Sequence, residues 1–265
     1  MSETYQLQKV KNLLSEDDQR KLYIAIDKIQ EDLREWDKVD VLIECEPYLY
    51  FLEQVTFEKR PVIEEILRDY QRDDQFKKEF LPNLKTLGNV QNAGDLRFHA
   101  ITLYVIARAL KAENIIETGV AQGKSSAILL LALERNRKGR LCSIDLPNPL
   151  GKQLADGAFT STGQRDIGWM VPDYLRSRWN LILGDAKTEL PRVLNSMDKV
   201  DIFFHDSLHT YDHVKFEIET VKSKMKGGVI IVDNLETEAG KFFEEFIQVN
   251  GLAGFAFSNL GVIRL

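Results

Sequence analysis

From Asp95 onward, short apolar runs alternate with longer amphipathic stretches, and five consecutive runs end beside an acid. The runs cover residues 114–118, 140–144, 181–183, 200–204 and 228–232; the acids are Glu117, Asp145, Asp185, Asp206 and Asp233. Residues 96–110, 123–137, 211–224 and 239–250 carry helical spacing between them. Short strands alternating with helices imply a parallel sheet covered on both faces. The closing residues, FAFSNLGVIRL, read as two strands joined by a turn too short for a parallel crossover, so that pair must be antiparallel. The expected fold is α/β, a doubly wound, mostly parallel seven-stranded sheet with a C-terminal antiparallel hairpin.

The chain divides near residue 95. Residues 1–94 are helical and heavily charged, and they read as an N-terminal extension to a domain at 95–265. Ser15 and Asp18 open a helix, with Leu22, Ile26, Ile29 and Leu33 on one face. An apolar stretch covers 41–55, another helix starts at Pro61, and Pro82 with the run 87–95 reads as a loop. Two uses of the extension stay open: a cap on the core or on a second subunit, and a substrate lid or dimerisation arm.

Composition removes several function classes. The net charge is −6 and no basic block stands out, which argues against a nucleic-acid partner held through phosphates. Cys45 and Cys142 are isolated in apolar settings, so neither a disulfide framework nor a zinc cluster is expected. No apolar stretch approaches bilayer-spanning length, and the first residues, MSETYQLQKVKN, lack an apolar signal core. A cytoplasmic protein without a membrane partner is expected; a homodimer is plausible.

The loop that follows the first strand carries the most chemistry. Residues 114–126 read NIIETGVAQGKSS: strand, glycine turn, helix start. A dinucleotide turn wants G-x-G-x-x-G, but Ala121 takes the middle glycine's place. A P-loop wants a glycine where Thr118 stands, although Gly123-Lys124-Ser125 supplies its ending. The pattern present is E-x-G-x-x-x-G. It resembles the first motif of class I S-adenosylmethionine-dependent methyltransferases. That resemblance, which covers about residues 95–265, implies a Rossmann-like methyltransferase fold with S-adenosyl-L-methionine as cofactor. It implies that Glu117, Gly119, Ala121, Gly123 and Ser125 hold the methionine part of the cofactor, and that Asp185 with Ala186 lies beside the adenine. Asp145, at the end of the next strand, can accept both ribose hydroxyls.

Farther on, Asp206 and the pair Asp233-Asn234 stand at two strand ends, offering hard oxygen ligands suited to magnesium. Together they resemble the metal site of catechol-type O-methyltransferases. Asp206-Ser-Leu-His209 resembles the D-x-x-H segment of metal-dependent sugar and macrolide O-methyltransferases, as does the run GWMVPDYLRSRW at 168–179. The resemblance implies Asp206, Asp233 and Asn234 as metal ligands, Asp206 and His209 as catalytic groups, and a hydroxyl of a small molecule or sugar as acceptor. Those relatives often carry two acids where this chain has Asp233-Asn234, which makes the third ligand weaker. A metal-independent methyltransferase with His209 as sole base is therefore the alternative. An ATPase built on Gly123-Lys124-Ser125 and a non-catalytic adenosyl-binding protein are the readings from other classes. His205 is expected to be structural, and His99 and His213 carry no motif. The run 146–173 reads as a loop folding over the cofactor, with Trp169 closing on the adenosine.

Overall fold

The computed structural model describes residues 39–85, 96–147, 165–257 and 259–265. The helix expected from Ser15 and most of the loop expected at 146–173 lie outside the described residues.

Among the described residues, five helices precede the first strand: α1 (Val39–Ile43), α2 (Glu46–Thr56), α3 (Arg60–Gln71), α4 (Asp74–Lys85) and α5 (Leu96–Ala109). Then follow β1 (Asn114–Thr118), α6 (Lys124–Asn136), β2 (Arg140–Asp145), a short 3-10 helix (Asp173–Arg178), β3 (Trp179–Leu183) and α7 (Ala186–Asn195). The chain closes with β4 (Ile202–His205), α8 (Tyr211–Lys222), β5 (Val229–Val232), α9 (Glu238–Asn250), β6 (Ala253–Phe257) and β7 (Leu260–Arg264). The strands form one seven-stranded sheet in the order β3-β2-β1-β4-β5-β7-β6. The first five pair in parallel, β7 enters antiparallel to β5, and β6 is antiparallel to β7. This is the sheet expected from the alternation. Pro82 differs from expectation: it lies inside α4, which runs only three residues past it, so the missing amide disturbs little more than the last turn. The 3-10 helix is also unannounced by periodicity.

Alternation along each strand builds two cores, one on each face of the sheet. Ile115, Leu141, Ile202, Phe204 and Ile231 pack with α5 and α6, whereas their neighbours Ile116, Cys142, Phe203 and Ile230 pack with α7, α8 and α9. The N-terminal helices belong to the first core. Tyr48 and Phe51 of α2 are fully buried and meet Phe257 of β6 at ring-centroid distances of 5.0 and 5.6 Å. Each such aromatic stabilises the fold by about 1.5–3 kcal/mol relative to an exposed one. Among the described residues, no helix is long and apolar enough to cross a membrane.

Candidate active site

β1 and β4 lie side by side at the centre, and both carboxyl ends open on the same rim. In such sheets the crevice beyond the strand ends is where ligands bind. The turn after β1 is forced close to β4: Gly119 has φ +85°, and a Cβ there would stand 1.9 Å from the Asp206 carbonyl oxygen. Only glycine satisfies both demands. Gly123, at φ +87°, lies against Gly168, with 2.7 Å from its Cβ position to the Gly168 Cα.

Glu117 and Thr118 are consecutive on β1 and face opposite sides of the sheet. Glu117 is fully buried, and its Oε2 accepts 2.6 Å hydrogen bonds from Ser126 Oγ on α6 and Ser143 Oγ on β2. Its Oε1 is buried and has no hydrogen-bond partner among the described residues. Burial pushes this carboxyl up to about 7, against the pull of the two serines. A buried acceptor left bare costs about 1–3 kcal/mol, and a cationic donor would remove that cost.

Asp145 pins the turn rather than standing open. Its Oδ2 accepts from Val120 N at 3.0 Å and Ala121 N at 2.8 Å, and its Oδ1 accepts from Leu146 N at 2.7 Å. Each carboxylate oxygen accepts two bonds, so one acceptor site remains, on Oδ1, enough for a single ribose hydroxyl. Asp185 caps α7, accepting from Lys187 N at 2.8 Å, and Ala186 is the first residue of that helix. Ala121 has φ +47°, and its carbonyl accepts from Gly168 N at 2.9 Å. Gly168 and Met170 thus bind the cofactor-type loop directly, which places the neighbouring Trp169 beside it. Ser125 stands half-buried in the first turn of α6.

Asp206 and Asp233 are brought together. Asp206 N donates to Thr118 O at 2.9 Å and Asp233 N to His205 O at 3.0 Å, so each carboxylate starts where its ladder stops. The two carboxyl groups lie close enough to act on each other electrostatically. Burial, then the charge of Asp233, holds Asp206 well above the usual carboxylate range. Burial works against Asp233 too, but its contact with His99 holds it below the ordinary value. His99 Nδ1, on α5, stands 3.0 Å from Asp233 Oδ1. His209 Nε2 stands 3.8 Å from Asp206 Oδ1, with 11% of its side chain exposed. Lys124 opens α6; burial brings its ammonium down to about 8, with the Asp206 charge opposing. Asn234 is different: its backbone is left-handed at φ 57°, and its Oδ1 accepts from Asn259 Nδ2 at 3.3 Å.

Several residues without a motif prove central. Glu217 of α8, fully buried, accepts from His205 Nδ1 (2.6 Å), Thr118 Oγ1 (2.8 Å), Ser207 Oγ (3.0 Å) and His213 Nε2 (2.9 Å). Burial alone would raise Glu217, yet the histidines take it to about 2. The cluster clamps the ends of β1 and β4 from below. His205 is thus a clamp residue, as its place on the strand suggested. His99 and His213 gave no signal because their partners lie on distant elements.

Among the described residues, no group of three or more His, Cys, Asp or Glu side chains is placed to hold a metal ion. Residues 116–235 match a family described as a methyltransferase domain. In fold, the chain is similar to the O-methyltransferase from Bacillus cereus in complex with S-adenosylhomocysteine (TM-score 0.50, 16% identity, covering 82% of this chain and 96% of that one). It is similar to TomG from Streptomyces achromogenes, an O-methyltransferase of tomaymycin synthesis in complex with S-adenosylmethionine (TM-score 0.51, 16% identity, 73% of this chain and 90% of that one). It is also similar to CalS11, a calicheamicin methyltransferase (TM-score 0.50, 16% identity, 77% of this chain and 91% of that one). No curated protein sequence matches the chain. The fold is thus shared with these solved methyltransferases, and residues 116–235, just under half of the chain, match a methyltransferase-domain family.

Proposed function

We propose that the protein transfers the methyl group of S-adenosylmethionine to a hydroxyl oxygen of a small molecule or glycan. One observation carries the reading: Glu117 presents a bare, buried carboxylate oxygen at the end of β1, next to the glycine loop. The cofactor's α-ammonium is the donor that such an oxygen lacks. Asp145, Asp185 and Ala186 are the proposed contacts of the adenosine, and Gly119, Ala121, Gly123 and Ser125 shape the loop around the methionine tail. The same loop speaks against an ATPase, because the amides of Val120 and Ala121 already serve the Asp145 carboxylate, and a phosphate would meet an anion there.

In the proposed reaction the acceptor hydroxyl lies between the sulfonium methyl and His209. His209 takes the hydroxyl proton, the oxygen forms a bond to the methyl carbon, and the carbon–sulfur bond breaks to leave neutral S-adenosylhomocysteine. Asp206 orients His209. Holding oxygen and methyl in line contributes the larger share, up to about 7–11 kcal/mol in ideal systems. The helices before residue 95 and the segment around Trp169 are the proposed walls of the acceptor site, and a cytoplasmic homodimer is the proposed setting.

The expected magnesium site fits these residues poorly. Asp206 and Asp233 do adjoin, but Asp233 pairs with His99, and the Asn234 amide oxygen is used by Asn259. Hard divalent cations want a set of unengaged oxygens, so no step is drawn through a metal. Calorimetric titration tests the cofactor reading: S-adenosylhomocysteine should bind in the micromolar range and ATP should not. Heat from ATP with none from S-adenosylhomocysteine would reject it.

A further inference from the structure

Trp179, the first residue of β3, does more than close the edge of the sheet. Its indole Nε1 donates to Ser143 Oγ at 2.9 Å, and Ser143 Oγ donates to Glu117 Oε2 at 2.6 Å. The register explains how an edge-strand side chain reaches a central carboxylate. Ser143 pairs with Glu117, while Trp179 pairs with Leu141, the neighbour of Ser143 on the same face of β2. The indole therefore leans along the strand direction onto the serine. An indole nitrogen only donates, and a hydroxyl has one proton to give. The order of the chain is thus fixed: Trp179 gives to Ser143, which leaves the serine proton for Glu117. A hydroxyl that accepts one bond donates the next more strongly. The same ring bears on the cofactor-type loop. A Cβ on Gly168 would lie 2.1 Å from Trp179 Cη2, and Gly168 N donates to the Ala121 carbonyl at 2.9 Å. Packing against Gly168 needs only a ring; it does not explain an N–H aimed at a fully buried serine.

We propose that Trp179 is a positioning residue for the cofactor: acting through Ser143, it holds the Glu117 carboxylate with Oε2 engaged, so that Oε1 is the oxygen that receives the cofactor's α-ammonium. The inference rests on the methyltransferase reading, which supplies that ammonium. A carboxylate that accepts from hydroxyls keeps its negative charge more readily, and one already fixed by them loses less freedom when the ligand arrives. The effect of Trp179 should therefore fall on the ammonium and spare the rest of the ligand.

Calorimetric titration of the full chain with two ligands tests this: S-adenosylhomocysteine, and its analogue with hydrogen in place of the α-amino group. Trp179→Phe keeps a ring against Gly168 and removes the N–H. It should weaken S-adenosylhomocysteine binding about three- to tenfold, the worth of a neutral hydrogen bond, and leave the affinity of the analogue unchanged. Ser143→Ala should show the same selective loss. The double variant should bind no more weakly than Ser143→Ala alone, because the tryptophan acts through the serine. An equal loss for both ligands makes Trp179 a packing residue and overturns the proposal, as do additive losses in the double variant. Should Trp179→Phe fail to fold, Ser143→Ala decides by the same comparison of ligands. The wild type separates the two readings. If it does not bind S-adenosylhomocysteine, the methyltransferase reading falls and this proposal with it; if it binds and the variants lose both ligands alike, only the role of Trp179 falls.

Discussion

Replacing Glu117 with glutamine separates what this residue does for the fold from what we propose it does for the cofactor. The carboxyl is fully buried, and its pKa stands at about 7 against an ordinary 4.5. With about 1.4 kcal/mol for each tenfold change in proton affinity, ionising it in the folded state costs about 3 kcal/mol. The sign follows from the folded pKa lying above the unfolded one. Stability from this group is complete below pH 4.5, declines between 4.5 and 7, and is absent above. Glutamine keeps two polar atoms for Ser126 and Ser143 and never ionises. Glu117→Gln should therefore match the wild type near pH 4.5 and exceed it by about 1–3 kcal/mol at pH 8, or roughly 2–4 °C in Tm per kcal/mol. The same change should weaken S-adenosylhomocysteine binding by about 10–100-fold, the worth of a hydrogen bond to a charged group. In the wild type, affinity should fall about tenfold per pH unit below 7 as the carboxyl takes up its proton. Thermal melts at several pH values, with calorimetry beside them, read both quantities. A Tm difference that does not change with pH, or a glutamine variant that binds as well as the wild type, refutes the reasoning.

Other expectations follow from single contacts. His209→Ala should leave S-adenosylhomocysteine affinity unchanged and lower kcat about 10²–10⁴-fold on a hydroxyl acceptor, as measured by product release. Gly119→Ala forces a Cβ to 1.9 Å from the Asp206 carbonyl, and should cost several kcal/mol in denaturant titration or abolish cofactor binding. Glu217→Gln leaves two histidines and two hydroxyls around a neutral amide, and should destabilise by about 3–5 kcal/mol. The Glu217 pKa is lowered to about 2, so its contribution is whole above pH 4.5 and fades as pH falls toward 2; the penalty of the variant should shrink in acid melts. Phe51→Ala removes a fully buried ring from the helical extension and should cost about 3–5 kcal/mol without changing cofactor affinity in calorimetry.

Period-two and helical patterning sufficed for the sheet, since a parallel strand buried on both faces leaves a short apolar run wherever it occurs. The hairpin was equally legible because turn length alone decides its direction. The strand-end acids located the rim, and Asp206 and Asp233 do meet there. The roles within the rim were less legible. Nothing in the run at 96–110 distinguishes His99 from any half-buried helix residue, because its partner Asp233 is 134 positions away by residue number. Glu217 reads as one more charge on an amphipathic helix until β1 and β4 bring Thr118 and His205 against it. Lys124 looked like the end of a phosphate motif, and nothing in the sequence shows that it lies buried at the start of α6. Asn234 looked like a ligand because sequence does not show the turn in which Asn259 uses its oxygen.

The end of β1 explains why these parts can work together. Glu117 is tied upward to α6 and β2, whereas Thr118 is tied downward to Glu217 on α8. Gly119 N is bound by Ile144 O at 2.9 Å, and Thr118 O receives Asp206 N at 2.9 Å. Five ties within three residues, to both faces and both neighbouring strands, leave little freedom at the point where cofactor and base must be held in register. A site built on such a strand end spends little of its ligand's binding free energy on ordering itself. The histidine–glutamate clamp is then structural in position but catalytic in consequence: loosening it should displace Asp206 relative to Glu117, and with it the line from acceptor oxygen to methyl. Glu217→Gln should for that reason lower kcat more than it weakens S-adenosylhomocysteine binding, and an equal fall in both would place the clamp's role in folding alone.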